Sequence, residues 1–388
     1  MDIMSYFAEL INSQLNNQIP KPIPENIEIS DILDLSSKAQ MQGLICMALI
    51  KLDLPPDIKK YLHSIVIEST MKSLTQMCTI NDLSKRLEES GIKHQFLKGS
   101  ILKNIYPQPV FREMGDVDIM IYGETVERTE EIVKKLGFVL EDTADHHVVY
   151  RKRPFAVLEI HWNLFSKKVD HNQFIYYNDS IKAKIKENTK YTYEFSPEDF
   201  YVYMISHMAK HFYETGCGIR NLVDLYFYNE KYKNQLKLDV IERELNQLGL
   251  VSFEKYMRQL AYVWLTKGTV DDFNKKLFAY MMDCGIYGKG ENGVWGQIAK
   301  EAKNKKSISK IKVRRMYFFP SLSRMREYYP WLKHKAFLLP VAWIIRIIHG
   351  ISKGEGVNRG RVVTTDSNED MQNMLEIYGK LDLEFRKS

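Results

Sequence analysis

The segment DVDIMIY, at residues 116–122, constrains the fold of this chain more than any other part of its sequence. Its apolar residues are typical of a buried β-strand, yet it carries two aspartates two positions apart. Successive side chains of a strand point to opposite faces, so Asp116 and Asp118 share one face while Val117 and Ile119 share the other. Two neighbouring carboxylates repel each other and are costly to bury unless a cation joins them. The segment therefore predicts a strand that lines a cation site on one face.

A second predicted strand supplies a third carboxylate. In AVLEIHW, strict alternation places Glu159 and His161 on one face and apolar residues on the other. Carboxylates from neighbouring strands form an oxygen-rich cluster suited to Mg²⁺, which binds carboxylates, water and substrate phosphates. We therefore expect Asp116, Asp118 and Glu159 to bind metal. For His161 we expect either a place near the substrate or a hydrogen bond to a metal ligand.

A Gly–Ser turn precedes the aspartates. IKHQFL predicts a short strand, and Gly99 and Ser100 follow it at the start of a helical turn. Glycine lets the backbone approach a phosphate, the helix start directs free N–H groups towards it, and Ser100 adds a hydroxyl donor. Lys98 and Arg112 lie on either side and are candidates to neutralise phosphate oxygens. The alternatives are a solvated strand end for Lys98, and for Arg112 an ion pair with Glu113 or the acid cluster.

The periodicity of apolar residues divides the chain into four parts. Residues 1–90 are helical in pattern, strands and helices mix at 91–195, and helical spacing returns at 196–350. Residues 351–388 are polar with weak periodicity, which indicates a partly disordered C-terminal tail. The expected fold class is α+β: a small mixed-sheet domain between an N-terminal helical region and a larger C-terminal helical domain.

Two histidines mark the first helix after the mixed segment. His207 and His211 are four positions apart, so they share a helix face, but HMAKH lacks the glutamate of the HExxH zinc motif. The open interpretations are contact with a nucleotide or acceptor across a cleft, a core position or structural hydrogen bonding, and zinc binding. Arg220 and Asp224, also four apart, are expected to form an ion pair within their helix.

Composition sets broad limits on the cellular setting. The net charge of +6 suits an anionic ligand without requiring nucleic acid. The four cysteines form no CxxC pair, which fits reduced thiols in a cytoplasmic protein. The N-terminus lacks the pattern of a signal peptide, and the longest apolar run is too short to span a bilayer.

The motifs together resemble a known superfamily. Gly99 and Ser100, then fifteen residues, then the aspartates at 116 and 118, with Glu159 on a later strand, resemble the DNA-polymerase-β-like nucleotidyltransferases. The strings LKGSILKNIYPQPVFREMGDVDIMI, LEIHWNLF and HMAKHF are similar to the uncharacterised bacterial nucleotidyltransferases grouped as nucleotidyltransferase family 5. The interval between the Gly–Ser pair and the aspartates is longer than in many superfamily members, because it carries YPQPVFREMG.

This resemblance implies a palm-like catalytic domain, two divalent ions (Mg²⁺ or Mn²⁺) and a reaction. A nucleoside monophosphate would pass from a triphosphate, with ATP the expected donor, to an acceptor, releasing pyrophosphate. Asp116 and Asp118 would bind metal, and Glu159 would complete the site of the ion that activates the acceptor. Gly99 and Ser100 would hold the β- and γ-phosphates. The acceptor could be a small molecule, a peptide or a protein.

Two other functions stay open at this point. One is a nucleotide-sensing or partner-binding module with a degenerate site, against which the intact set of three acids argues. The other is an RNA-tailing enzyme that would bind RNA through the basic stretch at 303–315. No aromatic residues are interleaved with those cations, so nucleic acid is not the expected partner.

Overall fold

The chain runs from a group of helices through a sheet to a second group of helices. The computed structural model describes residues 1–123, 126–144, 146–167, 171–178, 182–302, 309–352, 355–365 and 368–383. The strands are β1 (His94–Phe96), β2 (Val117–Ile121), β3 (Val139–Thr143), β4 (His147–Lys152), β5 (Ala156–His161), β6 (Lys184–Ile185) and β7 (Tyr193–Glu194). The first six residues of the basic stretch, 303–308, lie outside the described residues.

Helices lie before, between and after these strands along the chain. They are α1 (Ile3–Leu15), α2 (Ile29–Lys38), α3 (Gln42–Leu49), α4 (Pro56–Glu89), α5 (Gly99–Leu102), α6 (Val126–Lys135), α7 (His171–Asn178), α8 (Pro197–Glu214), α9 (Arg220–Tyr232), α10 (Leu238–Leu248), α11 (Val251–Leu265), α12 (Asp272–Cys284), α13 (Gly293–Ala302), α14 (Lys310–Phe318), α15 (Leu322–Tyr328), α16 (Leu339–Ser352), α17 (Glu355–Thr365) and α18 (Asn368–Leu381). The α+β class expected from the sequence is confirmed.

The main sheet has five strands in the order β1-β2-β5-β4-β3, and one of its pairs is parallel. Strand β2 runs parallel to β5, while β1 pairs antiparallel with β2, and β4 pairs antiparallel with both β5 and β3. In the parallel pair, Asp118 lies opposite Glu159. Because residues opposite each other in a pair point to the same face, this register brings the two carboxylates together.

The two faces of the sheet differ in polarity. One face is apolar and packs on α4 and α6 in a cluster that includes Val117, Ile119 and Leu158. The alternate residues of β2 and β5, including Asp118 and Glu159, point to the other face. The alternation of the sequence is therefore reproduced in space, with one face in a core and the other at a cavity.

The helices on the polar side of the sheet share a second hydrophobic cluster. It joins residues of the N-terminal helices, such as Phe7, with residues of the later helices, such as Phe253. The Trp264 Nε1–H donates to the carbonyl of Met4 over 2.9 Å, so α11 is tied directly to α1. The helices before and after the sheet thus pack together over its polar face.

The C-terminal tail, which was expected to be partly disordered, contains a packed helix. Helix α18 packs Met371, Ile377 and Leu381 into the second cluster. The Tyr378 hydroxyl donates to the carbonyl of Phe212 on α8 over 2.9 Å. Residues 368–383 of this tail are thus ordered, because a few well-spaced apolar residues suffice to anchor the helix.

Within the described ranges, no helix combines the length and apolar character needed to cross a bilayer.

Candidate active site

A cavity of about 520 Å³ lies between the polar face of the sheet and helices α8 and α9. The sheet side contributes Asp116, Asp118 and Glu159, and α8 contributes His207 and His211. The three acids and two histidines singled out in the sequence therefore line one cavity from opposite sides.

The three carboxylates lie close together because of the strand register. Asp118 and Glu159 are partners across the β2–β5 pair. Asp116 precedes β2 by one residue and is within hydrogen-bonding reach of Glu159. The sequence indicates which face of its strand each acid occupies. The parallel pairing of β2 with β5 is what brings the acids of the two strands together.

Lys98 is the nearest cation to the acids. Its Nζ lies 2.6 Å from Asp118 Oδ1, and the Asp118 side chain is only 3% exposed. Burial alone would raise the pKa of Asp118, but Lys98 and His161 together hold that pKa below its usual range. Lys98 is thus an ion-pair partner of the acid cluster, not a solvated strand end.

Lys98 forms its ion pair with Asp118, so the negative charge of Asp116 is not neutralised in the same way. Burial, followed by repulsion from Asp118, raises the pKa of Asp116 to about 7. A carboxyl group shifted this far is one whose negative charge has too little positive charge near it. The carboxylate oxygens of Asp116, Asp118 and Glu159 are ligands of the type Mg²⁺ prefers, so these residues fit a divalent cation.

His161 holds Asp118 from the side of β5. Its Nε2 lies 2.9 Å from Asp118 Oδ1 and 3.5 Å from Glu159 Oε2, and its side chain is 6% exposed. Burial alone would lower the pKa of His161, but the hydrogen bonds to Asp118 and Glu159 raise it above the ordinary value. Of the two expectations for this residue, the hydrogen bond to a predicted metal ligand is the one that is observed.

The Gly–Ser turn is a tight bend at the start of α5. Lys98 adopts a φ of +43°, which is uncommon for a residue with a side chain. The hydroxyl Oγ of Ser100 is buried and has no hydrogen-bond partner among the described residues. A buried hydroxyl without a partner costs free energy, so this atom is suited to a ligand.

Two of the N–H groups that were expected to be free in this turn already donate within it. The Ser100 N–H donates to the Leu97 carbonyl, and the Ile101 N–H donates to the Lys98 carbonyl. The turn therefore uses two of its backbone donors itself, and the hydroxyl of Ser100 and the ammonium of Lys98 are further groups that could meet an anion. The predicted phosphate contact of Gly99 stays a prediction.

Gly99 is required by packing. A Cβ atom at this position would lie 2.6 Å from both Arg112 Nη1 and Met114 Sδ. We predict that Gly99→Ala lowers the free energy of unfolding by about 1–3 kcal/mol, because neither buried neighbour can move freely. The measurement is urea denaturation of the full chain, with Gly379→Ala as the matched control.

The control variant is expected to change the free energy of unfolding in the opposite direction, or not at all. Gly379 lies in α18, and nothing comes within 4 Å of an added Cβ there. Alanine favours a helix over glycine by about 1 kcal/mol, so Gly379→Ala should leave stability unchanged or raise it. Equal losses for the two variants would contradict the packing role of Gly99.

Arg112 makes a buried ion pair that the sequence did not predict. Its Nη2 lies 2.8 Å from Asp224 Oδ2 and its Nε lies 3.1 Å from Asp224 Oδ1, with both side chains below 10% exposed. The expected helix pair of Arg220 with Asp224 is therefore wrong, since Asp224 is held by Arg112. Arg112 pairs with neither the Glu113 carboxylate nor the acid cluster. Its predicted contact with nucleotide stays a prediction, and its side chain does reach the cavity.

The two histidines of α8 form one unit on the opposite wall. Their Nε2 atoms lie 3.0 Å apart, a hydrogen bond in which one ring donates and the other accepts. Burial, followed by the positive charge of Lys98, lowers the pKa of His211 to about 3 and the pKa of His207 well below its usual value. Both rings are therefore neutral at pH 7.

Several residues of the cavity escaped the sequence analysis. Tyr203 lies four positions before His207 on α8, and this spacing could have revealed it. Arg220 donates to Gln40 Oε1 over 2.6 Å and to the Glu113 carbonyl over 2.9 Å. No local pattern marks Arg220 and Gln40 as neighbours, because they are 180 positions apart in the chain.

Comparison with known proteins identifies the family of this chain. A family model described as "Uncharacterised nucleotidyltransferase" matches residues 25–266, which is more than half of the chain. No curated protein and no solved structure matches. The matched segment contains the Gly–Ser turn, the three acids, and helices α8 and α9.

Proposed function

Because the chain belongs to this family of uncharacterised nucleotidyltransferases, we propose that it transfers a nucleoside monophosphate from a nucleoside triphosphate to an acceptor. The reaction would require divalent cations and release pyrophosphate, with ATP as the donor and Mg²⁺ or Mn²⁺ as the ion. The proposal combines the family with the chemistry of the cavity described above.

One observation carries this proposal most directly. Three carboxylates, Asp116, Asp118 and Glu159, converge at one cavity with Lys98 as their nearest cation. Burial, followed by repulsion from Asp118, raises the pKa of Asp116 to about 7. Buried repulsion of this kind is unfavourable for folding, and a divalent cation would remove it. A degenerate site would have no use for such an arrangement.

In the proposed mechanism, Asp116, Asp118 and Glu159 hold the metal. Divalent ions bound there would stabilise the charge that develops on the phosphate oxygens during in-line transfer. His161 donates from Nε2 to Asp118 and thereby fixes the orientation of that carboxylate. Lys98, already held beside Asp118, contributes a fixed positive charge near the phosphates.

The Gly–Ser turn and the opposite wall would position the two substrates. The Ser100 hydroxyl has no partner among the described residues and would donate to a phosphate oxygen. Across the cavity, Tyr203, His207 and His211 lie on one face of α8 and are uncharged at neutral pH. Such a surface suits the base of the nucleotide or an uncharged part of the acceptor.

The experiment that tests this function uses labelled ATP. The full chain is incubated with ATP carrying a labelled α-phosphate, with Mg²⁺ or Mn²⁺ and a cell extract, and labelled products are identified by mass. The proposal expects a product bearing AMP, absent when EDTA is added. Mg²⁺-dependent ATP binding without transfer, across a broad set of acceptors, would instead support a regulatory module. Salt-sensitive labelling of RNA would support an RNA-tailing enzyme.

Ser100 allows a prediction that separates binding from folding. We expect Ser100→Ala to weaken the binding of a non-hydrolysable ATP analogue by about 10- to 100-fold, the value of one hydrogen bond to a charged group. The free energy of unfolding should stay the same or rise, because the hydroxyl makes no hydrogen bond within the described protein. Calorimetric titration and urea denaturation measure the two quantities.

The control for this variant is an exposed serine of similar local structure. Ser64 lies on α4, where its hydroxyl donates to the Tyr61 carbonyl. Ser64→Ala should bind the analogue as the wild type does. Unchanged affinity in Ser100→Ala would remove Ser100 from the phosphate site.

A further inference from the structure

Three histidines meet beside the acid cluster, and two of them have no part in the proposed transfer reaction. His146 and His147 lie at the start of β4, and His161 lies at the end of β5. The antiparallel pairing of these strands sets His147 opposite His161. One nitrogen atom from each of the three rings lies within 4.8 Å of the other two. The cluster is created by strand pairing and is not visible as a sequence motif.

The hydrogen bond of His161 leaves its second nitrogen facing no partner. Its Nε2 lies 2.9 Å from Asp118 Oδ1, and an ionised carboxylate can only accept, so Nε2 carries the hydrogen atom. Its Nδ1 is buried and has no hydrogen-bond partner among the described residues. A neutral imidazole in this state offers an unshared electron pair at Nδ1.

This arrangement is the one that orients histidine ligands in many metal sites. A metal-binding histidine usually donates its other ring N–H to a carboxylate, which fixes the ring and makes the free nitrogen a better ligand. Asp118 would serve as that carboxylate for His161. The hydrogen bond from Nε2 to Asp118 would then orient the ring so that Nδ1 can bind a metal ion.

The distance between the other two rings fits a shared ion. His147 Nδ1 and His146 Nε2 lie 3.4 Å apart. Two nitrogens bound to one tetrahedral Zn²⁺ at the usual bond length are separated by about 3.4 Å. Both rings are only partly buried, so small rotations can bring their nitrogens towards His161.

We propose that His146, His147 and His161 bind one transition-metal ion, with Zn²⁺ the best fit. Imidazole nitrogen suits zinc, copper, iron and nickel, while Mg²⁺ favours oxygen ligands. Three histidines with a fourth position open to solvent or substrate form a ligand set found at catalytic zinc ions. The site is separate from the carboxylate site and is linked to it through the His161–Asp118 hydrogen bond.

One competing arrangement uses the same residue. His161 Nε2 also lies near Asp118 and Glu159, and these three offer ligand atoms within 4.8 Å of one another. A zinc ion there would replace the cation of the transfer reaction and would not involve His146 or His147. Variants of His146 and His147 therefore distinguish the two arrangements, because a zinc ion at the competing site would remain bound in them.

The test measures retained zinc in the full chain. Wild type and variants are dialysed against a low concentration of Zn²⁺ with a large excess of Mg²⁺, then against metal-free buffer, and zinc is counted by mass spectrometry. The variants are His146→Gln, His147→Gln and Asp116→Asn. Titration with Co²⁺, followed by visible absorption, reports whether nitrogen ligands surround the ion.

The expected result is about one zinc ion per chain in the wild type and in Asp116→Asn, and loss of that ion in both histidine variants. His146→Gln changes a partly buried residue at a strand start, so it serves if His147→Gln unfolds. Equal zinc in all four proteins, displacement of zinc by Mg²⁺, or loss of zinc in Asp116→Asn alone would overturn the proposal. No nucleotide is involved, so failure here leaves the transferase proposal untouched.

Discussion

Replacement of Asp116 by asparagine is expected to reduce the transfer of label from ATP at least about 1000-fold, which corresponds to about 4 kcal/mol of transition-state stabilisation. Asparagine keeps the size of the side chain but removes the charge that would hold a divalent ion. The measurement is the rate of product labelling in the assay described above, with equal amounts of wild type and variant.

The same variant should be more stable than the wild type when metal is absent. Ionised Asp116 is unfavourable in the folded state because burial and repulsion from Asp118 raise its pKa to about 7. An acid whose folded pKa is raised lowers stability above its unfolded pKa, and the effect grows until pH passes the folded value. In EDTA, Asp116→Asn should therefore gain about 1–2 kcal/mol at pH 8 and less at pH 5.

A surface acid provides the control for both measurements. Glu89 is 63% exposed at the end of α4, where it lies 3.9 Å from Lys85. Glu89→Gln should transfer label at the wild-type rate and change stability by less than about 0.5 kcal/mol. Retention of a tenth or more of the activity by Asp116→Asn would exclude the carboxylate site as the centre of transfer.

Replacement of Asp224 by asparagine is expected to lower the free energy of unfolding by about 3–5 kcal/mol. Asp224 accepts two hydrogen bonds from Arg112 and a third from the Tyr106 hydroxyl, all in a buried setting. Removing the negative charge leaves the guanidinium of Arg112 buried without its partner. Guanidinium chloride denaturation at pH 7 measures the loss.

An exposed ion pair gives the matched comparison. Asp283 lies 2.7 Å from Lys289, and its side chain is 68% exposed. Asp283→Asn should cost no more than about 0.5 kcal/mol, because water replaces the lost partner. Similar losses at Asp224 and Asp283 would show that burial adds nothing to the Arg112 pair.

A double variant separates the structural role of Arg112 from its predicted role in nucleotide binding. Apolar replacement of both members of a buried pair is often neutral, so Arg112→Met with Asp224→Leu should recover most of the stability lost in Asp224→Asn. Weak ATP binding in that folded protein would support a nucleotide contact by Arg112. Wild-type affinity would limit Arg112 to its ion pair.

The sequence predicted those parts of the molecule that depend on local pattern. Alternation along β2 and β5 correctly placed Asp118 and Glu159 on one polar face, because the direction of a side chain in a strand depends only on its position. The sequence also predicted that helical spacing returns at residue 196, and α8 begins at Pro197, where Ser196 accepts a hydrogen bond from the Asp199 N–H. These features involve residues close together in the chain.

Features that depend on distant residues were missed. Arg112 and Asp224 are 112 positions apart, and no pattern connects them. Strand β3 was not predicted because it is exposed along its whole length and so lacks alternation. No sequence pattern indicated that His146 and His147 would lie near His161, since that proximity comes from the pairing of β4 with β5.

The anchoring of α18 on α8 has a consequence for the order of events during synthesis. The helix that carries His207 and His211 rests against Tyr378, whose hydroxyl lies within hydrogen-bonding distance of both the Phe212 carbonyl and the Tyr280 hydroxyl. Until translation has passed Tyr378, the part of α8 beside Phe212 therefore lacks the packing that α18 supplies.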